Sequence, residues 1–139
     1  MSTAMKLERH HYLNQARDEL SVMNYFDYRP YLADLYGRLK ELNDSYSYLS
    51  LAEDLGFSAT NVLRLVISGK RKLAMKSAQT IADQLDLRGA QRRYFLTLAH
   101  YENAKGTSLE GKYFHQLLDL KQAALSSQDD RVRVAYFNK

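Results

Sequence analysis

Two short amphipathic helix patterns separated by one glycine constrain this chain more than any other feature in it. Ser47-Tyr48-Leu49-Ser50-Leu51-Ala52-Glu53-Asp54-Leu55 offers Ser47 as an N-cap, Tyr46 before it as a staple, and Leu51, Ala52 and Leu55 as a buried stripe. Gly56 follows, and a glycine there accepts the left-handed conformation that ends one helix and aims the next. Phe57 to Ile67 then resumes a helical period, with Ser58 as its expected cap and Val62, Leu65 and Val66 expected inward. Ala59, Thr60, Asn61 and Arg64 are left facing outward on the first turns of the second helix. The spacing predicts a helix–turn–helix.

A helix displayed in this way can enter a DNA major groove with its N-terminal half. On that expectation Thr60, Asn61 and Arg64 read base edges, Arg64 foremost. Ser47, Tyr48 and Ser58 at the helix starts, with Lys70, Arg71 and Lys72 in the following loop, hold the phosphate backbone. The charge distribution agrees. The chain carries a net charge of +4, yet residues 58–93 alone hold eight basic side chains against Asp83 and Asp86. Such a concentration suits a polyanion, because phosphate contacts release counterions. Gly69 would let the loop pass close to phosphates. Arg88, Arg92 and Arg93 fit a solvated helix face equally well.

The residues Leu51-Ala52, Leu55-Gly56-Phe57-Ser58, Gly69-Lys70-Arg71 and Ile81-Ala82 with Leu85 resemble the helix–turn–helix domain of the lambda-repressor-like (XRE/Cro-like) regulators, over roughly residues 30–103. More narrowly, Phe26-Asp27-Tyr28-Arg29, Gly69-Lys70-Arg71-Lys72-Leu73, and Tyr94-Phe95 with Asn103-Ala104 resemble a bacterial paralogous family in which such a domain precedes an uncharacterised C-terminal domain. The resemblance implies a sequence-specific transcription regulator acting by occupancy of a DNA site. The narrower one implies that most of a second domain would lie past Lys139. Two departures stand out. The stretch from Gly56 to Gly69 is one residue longer than the common pattern, and the outward positions lack the glutamines that often read adenine.

The other segments also read as helices. Arg29-Pro30 opens one with Leu32, Leu35, Tyr36, Leu39 and Leu42 as its stripe; others run over about 75–85 and 89–103. The nearest strand candidate, Arg131 to Tyr136, is short and terminal. The expected class is all-α, a five-helix lambda-repressor-like core at 29–105 between an N-terminal helical extension at 1–28 and a C-terminal helix and tail at 106–139. Leu13, Ala16, Leu20 and Met23 share one face that could cover the core or meet a second subunit. Thr107-Ser108-Leu109-Glu110 forms a capping-box pattern before a helix carrying Tyr113, Leu117, Leu120 and Ala124. That stripe could form a homodimer seam, while Phe114, Leu118 and Leu125 argue equally for packing within the chain.

Composition excludes more than it assigns. The chain has 139 residues and no cysteine, so one folding unit is expected, without disulfides or thiolate metal sites. Residues 1–20 lack an apolar signal core, and no run approaches a membrane span, so a cytoplasmic protein with no membrane partner is expected. Adjacent Glu53 and Asp54 diverge on a helix and are expected to be solvated; His10 and His11 point apart, and His100 and His115 have no ligand spacing. Neither enzymatic chemistry, metal nor cofactor is expected. The eleven tyrosines could stack on single strands, but those within amphipathic segments suit a core better. Besides double-stranded DNA, two partners stay open: a second copy of the chain, or another protein bound through the terminal helices. A protein-interaction module, adaptor or antitoxin-like, is therefore the competing expectation.

Overall fold

Helix boundaries follow from local chemistry in the computed structural model, which describes the backbone of residues 3–137 and the side chains of residues 7–126 other than Thr60. The described residues form α1 (Thr3–Glu19), a 3-10 turn (Val22–Asn24), α2 (Tyr28–Leu42), α3 (Tyr48–Asp54), α4 (Thr60–Ile67), α5 (Met75–Gln84), α6 (Gly89–Ala104) and α7 (Glu110–Phe137), with no strand among them. The fold is all-α, as expected. The Arg131–Tyr136 segment falls within the helical span of α7, and its side chains lie outside the described residues.

Asp27 caps α2 by accepting the Arg29 N–H at 2.9 Å, which puts Pro30 in the first turn, where its missing N–H costs nothing. Ser47 caps α3 as expected: its hydroxyl accepts the Ser50 N–H at 3.2 Å, and Ser50 Oγ accepts the Ser47 N–H in return. Ser58 does not cap α4. That helix begins one residue later, after Ala59, and has no side-chain cap. At the start of α7, Thr107 Oγ1 accepts the Leu109 N–H and the Glu110 carboxylate accepts the Gly106 N–H, so the expected capping residues act with a shifted register.

Three helices end alike. The Phe57 N–H reaches Ala52 O at 2.8 Å, the Lys70 N–H reaches Leu65 O at 2.9 Å, and the Leu87 N–H reaches Ala82 O at 3.0 Å. Each closure needs a left-handed residue: Gly56 at φ +85°, Gly69 at +83°, and Asp86 at +55°. Gly56 is doubly required, because a Cβ there would stand 2.8 Å from Thr80 Cγ2 of α5. The turn between α3 and α4 therefore also fixes where α5 packs.

One hydrophobic core runs through Leu32, Leu35 and Leu39 of α2, Leu51 of α3, Leu63 of α4, Ile81 of α5, and Tyr94 and Phe95 of α6. The terminal helices belong to it. Leu13 and Ala16 of α1 and Leu117 of α7 are fully buried in the same core, with Leu20, Met23 and Leu120 packed against it. Of the α7 stripe, Leu117 is buried and Tyr113, Leu120 and Ala124 are half-buried within the chain, while Phe114, Leu118 and Leu125 are exposed. Tyr31 and Tyr94 are buried, and Tyr36, Tyr101 and Tyr113 are half-buried, so packing accounts for these rings.

Candidate nucleic-acid interface

The outward face of α4 is built by what lies under it. Leu63 and Val66 are buried beneath the helix and Val62 and Leu65 flank them half-buried, so the ridge is centred on Leu63, which the spacing had left out. Asn61 and Arg64 point to solvent together with Ser58 and Ala59. Thr60 opens the helix, but its side chain lies outside the described residues. Ser47 and Tyr48 sit at the start of α3, both half-buried. The Ser47 hydroxyl is engaged in its cap, and the Tyr48 ring stacks on Tyr36 with centroids 4.1 Å apart.

After α4 the chain turns at Gly69 and presents Lys70, Arg71 and Lys72, all exposed. Leu65 O accepts both the Lys70 and Arg71 N–H groups, at 2.9 and 3.2 Å, tying the loop to the helix it leaves. Leu73 then dives into the core, its N–H donating to the Tyr28 hydroxyl at 2.9 Å and its carbonyl accepting from Asn103 Nδ2 at 3.5 Å. Beside this anchor, Arg29 lies 5.2 Å over the Tyr28 ring and pairs with Asp27 at 3.3 Å and Glu102 at 2.9 Å. Lys105 closes the group on Glu102 at 2.9 Å. Burial opposes ionisation of Glu102, but hydrogen bonds from Lys105 and Arg29 outweigh it and hold the carboxyl below its ordinary range. These residues cancel one another's charge.

Pairing divides the basic side chains into two sets. Arg64, Lys70, Arg71, Lys72 and Lys76 are exposed and form no ion pair among the described residues. Arg88 instead pairs with Asp86 at 3.0 Å and Arg92 with Asp83 at 2.7 Å, while Arg93 is exposed with no carboxylate partner among the described residues. The hydrogen bond from Arg88 also lowers the Asp86 pKa. Two of these three arginines therefore answer to a solvated, internally compensated face.

Other expectations resolve locally. Glu53 and Asp54 are not simply solvated: Arg9 of α1 bridges them at 3.3 and 2.8 Å, and Asp54 accepts the Tyr46 hydroxyl at 2.7 Å. The His100 ring stacks on Tyr113, and no cluster of metal-ligating side chains occurs among the described residues. No described helix is long and apolar enough to cross a membrane. Sequence reasoning missed the roles of Asp27, Tyr28, Glu102 and Asn103, although three of them lie in motifs already conspicuous in the chain. Tyr28, Glu102 and Asn103 meet partners 30 to 73 residues away, which no helical period reports, whereas Asp27 acts locally as the cap of α2. No protein-family model, curated protein or solved structure matches the chain.

Proposed function

We propose that this protein binds double-stranded DNA through α4 and the loop at 69–72, and regulates transcription by occupying its site. One observation carries the reading: five exposed cations, Arg64 to Lys76, lie along the end of α4, the loop after it and the start of α5 with no carboxylate partner among the described residues, and Asn61 and Arg64 are exposed on α4. Unpaired cations have counterions to exchange for phosphates, whereas paired ones must first break a bridge. Lys70, Arg71 and Lys72 would hold the backbone and Arg64, with Asn61 and Thr60, would read bases. The absence of enzymatic chemistry is part of the same proposal.

The test is binding to random-sequence duplex across a salt series, followed by selection of enriched sites. Replacing Lys70, Arg71 and Lys72 by alanine should flatten the log–log salt slope by about 3, one contact each. A slope that does not change would refute the loop's role. A second reading, a protein-interaction module, is favoured by Phe114, Leu118 and Leu125, which share one exposed face of α7. It predicts no retention on any duplex at low salt.

A further inference from the structure

The motifs Asp27-Tyr28-Arg29, Leu73 and Asn103 are far apart in the chain, and the fold gathers them directly beneath the basic loop. Leu73 is the residue next to Lys72. Both of its peptide groups are bound by side chains from other helices, its N–H by Tyr28 of α2 and its carbonyl by Asn103 of α6. At the near end, Leu65 O holds the Lys70 and Arg71 amides. The three cations are therefore bracketed between two fixed points only a few residues apart. Tyr28 is fully buried, and its hydroxyl accepts the Leu73 amide. Arg29, held over the Tyr28 ring and neutralised by Asp27 and Glu102, packs within van der Waals distance of where a side chain on Gly69 would start.

We propose that Tyr28, assisted by Asn103, is a positioning residue that clamps the 69–73 loop so that Lys70, Arg71 and Lys72 meet a DNA backbone as one preordered array. The proposal rests on the DNA reading above. Its physical basis is entropic: a loop already fixed at both ends loses less freedom when its cations dock on phosphates, so more of the contact energy appears as affinity. Tyr28 itself touches no ligand. Its hydroxyl does one thing that a phenylalanine cannot, which is to accept the Leu73 N–H.

The experiment compares wild type, Tyr28→Phe and Asn103→Ala, each with and without alanine at Lys70, Arg71 and Lys72. Tyr28→Phe keeps the buried ring and the Arg29 stack. Exchange of the Leu73 amide should quicken about tenfold, the loss of one hydrogen bond. Affinity for random duplex should fall about three- to tenfold with a flatter salt slope, and the loss should vanish in the loop-neutralised background, as coupled residues require. Asn103→Ala should give the same pattern at smaller amplitude, because its bond is the longer one. An equal loss of affinity in both backgrounds would overturn the clamp, since it would then act through general stability. Unchanged exchange at Leu73 would overturn it whatever the wild type binds. Failure of the wild-type chain to bind duplex would remove the DNA reading and with it the purpose assigned to the clamp.

Discussion

Two stretches of this protein carry the same kind of charge and use it differently. Arg64 to Lys76 holds five cations and no acid, all exposed and unpaired among the described residues, while Asp83 to Arg93 holds three arginines of which two are bridged to aspartates only two and nine residues away. Counting charge along the chain groups them into one basic segment. Geometry separates them, because a cation already facing a carboxylate contributes little net field to an incoming polyanion. What marks a candidate phosphate surface is thus the part of the charge left uncompensated after folding.

The strongest way to break this contrast is to neutralise each set in turn. Alanine at Lys70, Arg71 and Lys72 should weaken binding to random duplex on the order of 100-fold at low salt, whereas alanine at Arg88 and Arg92 should cost less than about threefold. Similar losses in a salt-series binding assay would mean that the division by pairing is wrong. Within the unpaired set, Arg64 should behave differently from the lysines. On a selected site, Arg64→Ala should cost about 1–3 kcal/mol and relax preference at one base pair. An equal loss on specific and random duplex, read by competition, would demote it to a phosphate contact.

A third change sharpens the comparison by moving the helix that carries one set. Gly56 aims α4, its φ of +85° is unfavourable for any side chain, and a Cβ would meet the Thr80 methyl at 2.8 Å. Gly56→Ala should destabilise the fold by about 1–3 kcal/mol in denaturant melts, from backbone strain together with the clash. Thr80→Ser in the same background should recover part of that loss by removing the methyl. No recovery would assign the cost to the backbone alone.

The helices were legible in the sequence because their periods and caps are local. Ser47, Gly56 and the α2 stripe, for instance, act within a few residues of themselves. The start of α4 was less so: Ser58 is a good cap by type, yet the chain enters the helix one residue later, where only Ala59 is available. The assignment of α7 was open for a physical reason, since its two apolar stripes differ little in composition and only packing on α6 selects Leu117 for burial. Long-range pairings were the least legible. Arg9 reaches across 44 residues to Glu53, and Arg29 across 73 to Glu102, distances at which no spacing rule operates.

The smallest expected effect concerns that last pairing, which sits next to the unpaired loop and shows what compensation does to a buried carboxylate. Glu102 is buried, yet Lys105 and Arg29 hold its pKa below the ordinary range against the cost of burial. A carboxyl lowered in the folded state binds its proton less readily there than when unfolded. Its stabilising contribution is therefore complete above the unfolded pKa and is lost as pH falls through the folded one. Glu102→Gln keeps the shape and removes that dependence. At neutral pH it should cost about 1 kcal/mol, the difference between a charge-assisted and a neutral hydrogen bond. Below about pH 5, the stability of the variant should fall less steeply than that of wild type in urea melts. Asp86 supplies the contrasting case. Its pKa is also lowered, by Arg88, but the pair is exposed, so about 0.5 M salt should erase the effect of Asp86→Asn while leaving that of Glu102→Gln. Parallel acid limbs for wild type and Glu102→Gln would show that the Glu102 carboxyl is not held below its ordinary range in the folded state.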